Sequence, residues 1–333
     1  MKKYKIVLLV LFLVFLTGCE TKKYDGVVNV LNWSSYIPDE VIDAFEREYN
    51  IKVNYGTYSS NEELLAKITS SKKGTYDVIF PSDYMVELMI SKGLIQKIDK
   101  NKISNYKNID PIFLNQDYDY YNDYSLPFLT TVVVIAVNRD NIPDDIKGYN
   151  DLNNIIYDNN IVLLDDQRIV IGSSLLALGY DMNETNMFAL NRAKNWLLKF
   201  KSRVKAYDSD SPKTFFMTDE VDIGILWHAE AELAQLENPN IEIIFPQEGH
   251  AISTDNYTIV SGAKNVDNAY LFINYLLRDE VNDKITNEYP YISSNINVKN
   301  SKIISSRVFE NGYYVKNIGS NISKYDKLWA DIK

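Results

Sequence analysis

The sequence predicts an α/β fold of two lobes of similar size, and three observations predict it. Short apolar runs rich in β-branched residues alternate with stretches of helical period, the pattern of parallel sheets joined by crossover helices. A chain of 333 residues favours two domains over one large core. One long β-branched run, TTVVVIAVN at 130–138, reads as a strand crossing between the two. Hydrophobic content of 46% and 13% aromatics place the chain among globular proteins.

The elements run in order along the chain. VVNVLNW reads as the first strand. DEVIDAFEREYN sets Val41, Phe45 and Tyr49 four apart, with Ile42 beside them, on one helical face. IKVNYGTY is the next strand, and Ser60-Asn61-Glu62-Glu63 has the form of a capping box before LLAKI. DVIF precedes the helical YMVELMISKG. The alternation weakens between Asn101 and Tyr124, then resumes with NIVLLDD, a helix at SSLLALGY and another at FALNRAKNWLLKF. VDIGILW and NYTIVSG are later strands, and AYLFINYLLRDEV is a later amphipathic helix. There is no internal repeat and no low-complexity tract.

The first eighteen residues, MKKYKIVLLVLFLVFLTG, carry a basic head and an apolar run too short to span a bilayer, which is the form of a secretion signal. Cys19 comes next, the only cysteine in the chain, so no internal disulfide is possible. Leu16-Thr17-Gly18-Cys19 resembles a bacterial lipobox, which implies a lipidated Cys19, a tether over 19–26 and an extracytoplasmic body anchored by lipid alone. Loss of three lysines with the leader shifts the formal charge from −10 to −13, which argues against nucleic acid and suits a cationic ligand.

Four strands can be aligned by the residues at their carboxyl ends. The first ends in Trp33-Ser34-Ser35-Tyr36, DVIF in Pro81-Ser82-Asp83-Tyr84, IVLL in Asp165-Asp166-Gln167-Arg168 and DIGIL in Trp227-His228-Ala229-Glu230. Ligands in open parallel sheets bind beyond the carboxyl ends of strands, so these four ends face a cleft. Indole and phenol faces attract cations. Asp83, Asp166 and Glu230 pair with ammonium groups, and Ser34, Ser82 and Ser209 accept from the remaining N–H donors. The set suits a slim organic polycation. Asp165-Asp166 also reads as a turn with a helix cap.

These motifs, with TYSSNEELLAKI, GTYDVIFPSDYMV, LIQKIDKNKISNYKNIDP, NDYSLPF, LLDDQR, DSDSP, ILWHAE, FPQEGH, INYLLRDEV and EYPY in one order, resemble the spermidine/putrescine-binding proteins of polyamine ABC importers. The resemblance runs from Val27 to the end of the sequence. It implies a two-lobed, periplasmic-binding-protein-like (type II) fold, with 27–133 and 256–308 in one lobe and 134–255 and 309–333 in the other. It further implies a monomer with no cofactor and no bound metal, which delivers its polyamine to an ABC permease driven by a cytoplasmic ATPase. Carried over by position, Trp33, Ser34 and Tyr36 match the first aromatic wall. Ser82 and Tyr84 match the second loop, Asp166 an acid at one end of the ligand, Ser209 a pocket hydroxyl and Trp227 a stacking indole. Asp255 matches an amine-binding acid and Tyr289 a pocket phenol.

The chain departs from the spermidine-type pattern at three places, carrying Ile169 for a glutamate, Ser253 for a tryptophan and Val315 for a glutamine. Glu230 instead resembles an acid of putrescine-type relatives. Putrescine is favoured slightly over spermidine, and agmatine or a betaine-like cation is the alternative. Catalysis is disfavoured, because the two histidines, His228 and His250, lie in no nucleophile or zinc motif. Tyr313-Tyr314 could supply phenolates to ferric ion, but packing beside a helix explains the pair more simply.

Overall fold

The computed structural model describes residues 24–298 and 305–333. The leader and Cys19 lie outside these. Among the described residues, twelve strands form one continuous mixed sheet whose main path runs β2 (Ile51–Tyr58), β1 (Gly26–Trp33), β3 (Val78–Ile79), β10 (His250–Val260), β5 (Ser125–Asn138), β8 (Ile223–Trp227), β6 (Ile161–Leu163) and β7 (Val204–Tyr207).

The first half is built on β1 (Gly26–Trp33), β2 (Ile51–Tyr58) and β3 (Val78–Ile79), all parallel. Helix α1 (Asp39–Tyr49) buries Val41 and Phe45, and Phe45 meets Phe272 edge-on at 5.1 Å. The helix stops at Asn50, whose φ of 52° is the left-handed conformation that asparagine tolerates. Helix α2 (Asn61–Ser70) starts where Ser60 Oγ accepts the Glu63 N–H at 3.1 Å. The Glu63 carboxylate reaches back to the Ser59 N–H at 2.8 Å, so the reciprocal bond falls one residue earlier than in a regular box. Helix α3 (Asp83–Ser91) and the short β4 (Ile95–Gln96) complete this part.

Two strands join the halves. β5 (Ser125–Asn138) is buried along its whole length. Its first part pairs antiparallel with β10 (His250–Val260), and its second part pairs with β8 (Ile223–Trp227) and β9 (Ile241–Ile244). The anticipated crossing strand thus begins five residues before TTVVVIAVN. The second half adds parallel β6 (Ile161–Leu163) and β7 (Val204–Tyr207), with α4 (Gln167–Ala177), α5 (Met187–Phe200), α6 (Lys213–Met217) and α7 (His228–Glu237). Helices α8 (Val266–Leu276) and α9 (Asp279–Glu288) return to the first half, where Phe272 and Ile273 pack beside Val28 and Phe45. Short β11 (Ile292–Ser293), α10 (Ser305–Phe309) and β12 (Gly312–Tyr314) precede α11 (Ile322–Ile332), whose Tyr325 and Leu328 pack with β6 and α4 residues.

The cores keep to this division. One large cluster gathers residues 132–137 of β5 with Val162, Leu163, Ile171, Leu190 and Leu226. The other side holds a cluster around Val28, Phe45 and Phe272 and a smaller one around Leu64, Ile79 and Met89. No helix among the described residues is long and apolar enough to cross a membrane.

Candidate functional site

The carboxyl ends of β1, β3, β6 and β8 converge on one cavity of about 600 Å³ between the halves. At the end of β1 the chain turns at Ser35, whose φ of 55° is rare for a residue with a side chain. That turn brings Trp33, Ser34 and Tyr36 all onto the wall. Trp33 Nε1 donates to the Phe80 carbonyl at 3.0 Å, and its ring lies 4.6 Å from that of Tyr58, so the indole is fixed on two sides.

The best-organised group is Asp255. A register shift in β10 between Asp255 and Asn256 breaks the regular ladder there, as bulges that re-aim side chains do. Tyr36 Oη donates to its Oδ2 and Ser82 Oγ to its Oδ1, both at 2.6 Å. Ser82 is itself held by the Asn61 amide at 3.1 Å. Asp255 is only 3% exposed, and burial is the main cause that pushes its carboxyl up to about 6, against the pull of the Ser82 and Tyr36 hydroxyls. Burial thus works against the charged form of Asp255, which a cation entering the cavity would favour.

Asp166 combines both readings of the Asp-Asp pair. Its Oδ1 caps α4 by accepting the N–H groups of Arg168 and Ile169 at 2.8 and 3.1 Å, while the residue lines the cavity. Burial raises its carboxyl as well. Ser209 also lines the cavity, with a buried hydroxyl that has no partner. Trp227, the last residue of β8, and Tyr84 are on the wall too.

Three candidate residues sit differently. Glu230 lines the cavity, but both its oxygens accept from Lys213 Nζ, at 3.1 and 3.0 Å, so its charge is already paired. Asp83 is not on the wall: it opens α3 and folds back to accept the N–H groups of Tyr84 and Thr254 at 2.7 and 3.2 Å. Burial pushes that carboxyl well up. Tyr289 is likewise absent from the lining, which instead includes Tyr291, whose ring lies 4.6 Å from that of Tyr36 and is tilted 35° to it. EYPY offers two phenols two residues apart, and only the position of the adjoining β11 separates them.

Sequence reasoning also missed Asp165, Tyr207 and Trp329 on the wall. In the sequence Asp165 is legible only as the neighbour of Asp166, and Trp329 belongs to a helix that no strand end announces. The three departures, Ile169, Ser253 and Val315, all line the cavity. His228 is fully buried, with Nδ1 3.0 Å from Thr131 Oγ1, and burial lowers its pKa to about 3, so it stays neutral. Tyr313 and Tyr314 lie in β12 and are not among the cavity residues, and no cluster that could hold a metal occurs among the described residues.

Residues 40–308 match the family model described as bacterial extracellular solute-binding protein. This chain belongs to that family. A spermidine/putrescine-binding periplasmic protein of Escherichia coli is 34% identical over 313 residues, covering 91% of this chain and 90% of the relative. Among solved structures, the spermidine/putrescine ABC transporter substrate-binding protein PotD of Streptococcus pneumoniae is 28% identical with a TM-score of 0.81, covering 92% of this chain and 98% of that one. The PotD lipoprotein of Treponema pallidum is 27% identical with a TM-score of 0.86, covering 92% and 99%. The two-lobed fold of this solute-binding protein is that of its periplasmic-binding-protein relatives, and its place is extracytoplasmic.

Proposed function

We propose that the protein captures a polyamine, putrescine before spermidine, and hands it to an ABC importer. The observation that carries this reading is Asp255: a buried carboxylate with its pKa raised, gripped by Tyr36 and Ser82 and facing an aromatic-walled cavity. A carboxylate in that state gains most from an ammonium that enters with it. Trp33, Tyr36, Tyr291 and Trp227 offer ring faces to the methylenes and to the cation. At the far wall Asp166 keeps one oxygen outside its cap bonds, and the Ser209 hydroxyl is unpartnered.

The charge count favours a diamine. Lys213 offsets Glu230, and Asp255 and Asp166 remain as the two enclosed carboxylates for two ammonium ends, with the Arg168 guanidinium near Asp166 but bonded to the Lys316 carbonyl and Asn183 Oδ1. Glu62, Asp208 and Asp210 also line the cavity, and they hold Tyr84 Oη, backbone N–H groups and Ser34 Oγ. They serve to draw cations in. Ser34 and Asp210 come from opposite halves, 3.4 Å apart, so their contact strengthens as the halves close on ligand. The lobes join at β5 and β10, and lipidation of Cys19 holds the monomeric body at the membrane beside its permease.

Calorimetric titration with putrescine, cadaverine, spermidine, spermine and agmatine tests the reading. Tight binding of a polyamine supports it, and no heat from any of them rejects it. For the anchor, a Cys19→Ser protein should appear in the soluble extracytoplasmic fraction while the parent stays with membranes.

A further inference from the structure

One acidic position on the cavity wall already holds an ammonium, and that ammonium belongs to the chain. Lys333 forms an ion pair with Asp165. Its Nζ also lies 5.1 Å from the ring centroids of both Tyr207 and Trp329. The two rings meet edge to face, 5.5 Å apart at 88°. Asp165, Tyr207 and Trp329 all line the cavity. A carboxylate beside two aromatic faces is what a primary ammonium seeks, and here one is caught in it.

Two features make this lysine replaceable. The Lys333 and Asp165 side chains are 35% and 45% exposed, and ion pairs so exposed to water are weak. Lys213 and Glu230, at 26% and 11%, are far more enclosed, and breaking that pair would strand a buried charge. Position is the second feature. Asp165 directly precedes Asp166, about 3.8 Å along the chain, so this cage adjoins the acid that ends the enclosed part of the cleft.

We infer that Asp165, Tyr207 and Trp329 form an accessory subsite for a ligand's primary ammonium, which Lys333 fills until a triamine displaces it. The inference rests on the polyamine reading. A diamine satisfies Asp255 and Asp166 and leaves Lys333 where it is. A triamine brings a third ammonium; the other cavity acids outside an ion pair, Glu62, Asp208 and Asp210, are tied to Tyr84 Oη, backbone N–H groups and Ser34 Oγ and lie beside no pair of rings such as Tyr207 and Trp329, so its extra end takes the cage. Lys333 is then an internal competitor that lowers affinity for the longer ligand alone, and so sets the preference between chain lengths.

The test is titration of the purified protein and its variants with putrescine and with spermidine at about 0.15 M salt, where distant charges are screened. Lys333→Ala should raise spermidine affinity roughly three- to tenfold and leave putrescine within about twofold, as removal of a weak competitor requires. Asp165→Asn placed in the Lys333→Ala protein should abolish that gain. Lys327→Ala, an exposed charge change on the helix that precedes Lys333 and not on the cavity wall, should alter neither ligand. Equal gains for both ligands, a gain that survives Asp165→Asn, or one reproduced by Lys327→Ala would overturn the subsite and leave the polyamine reading intact. Binding of neither polyamine by any of these proteins would overturn both.

Discussion

Asp255 is the cavity acid whose burial couples the site most directly to pH. Its carboxyl ionises at about 6 against an ordinary 3.8, so the folded protein binds more protons than the unfolded chain between those values. Stability from this group is therefore greatest below the unfolded pKa and is lost as pH rises through about 6, a cost of roughly 3 kcal/mol. A cation reverses the balance, because the ionised form is the one it needs. Affinity for putrescine should rise by up to about tenfold per pH unit below 6 and level off above about 7, with proton release on binding near pH 6. Titration in buffers of different ionisation enthalpy measures both, and affinity independent of pH from 5 to 7 would show that Asp255 does not meet the ligand. The other acids differ in kind. Because Lys213 neutralises Glu230, the double change Lys213→Met with Glu230→Gln should leave putrescine affinity within about threefold by calorimetry. Glu230→Gln alone should weaken binding much more, since it leaves the Lys213 charge unpaired behind the cavity wall.

At the scale of elements, the site depends on where strands stop. β1, β3, β6 and β8 end at one level, and each leads into a turn or helix start that carries the functional groups. Those ends were legible in the sequence because a buried run that breaks into aromatic, hydroxyl and acidic residues is visible in one dimension. The helix starts were legible through their caps. Ser60→Ala removes the bond to the Glu63 N–H and should lower unfolding stability by about 1 kcal/mol in denaturant titration. Other parts were not legible, for physical reasons. AYLFINYLLRDEV reads as one amphipathic helix, yet it breaks at Leu277 and Arg278, where Arg278 turns to grip Glu48 from the first helix. NYTIVSG shows only the apolar end of β10, whose earlier residues pair with β5 and β12 across long sequence separations. The choice between Tyr289 and Tyr291, the inward fold of Asp83 and the pairing of Glu230 with Lys213 are tertiary facts that no local pattern encodes.

At the scale of the molecule, two α/β halves share one sheet, and the cavity lies where the strands pass between them. Ligand that touches both halves favours the state in which they are closed, and any ligand that binds only the folded form raises stability by mass action. Putrescine at about a hundred times its dissociation constant should add roughly 2.7 kcal/mol, a thermal shift of several degrees that grows with ligand concentration. A midpoint that does not move would argue against a specific site. The measurement that tests the central claim most directly is calorimetric titration of the parent protein and of Asp255→Asn with putrescine at neutral pH. The account predicts one-to-one binding by the parent and a loss of at least about thirtyfold, roughly 2 kcal/mol, in the variant. Equal binding by both proteins would contradict it.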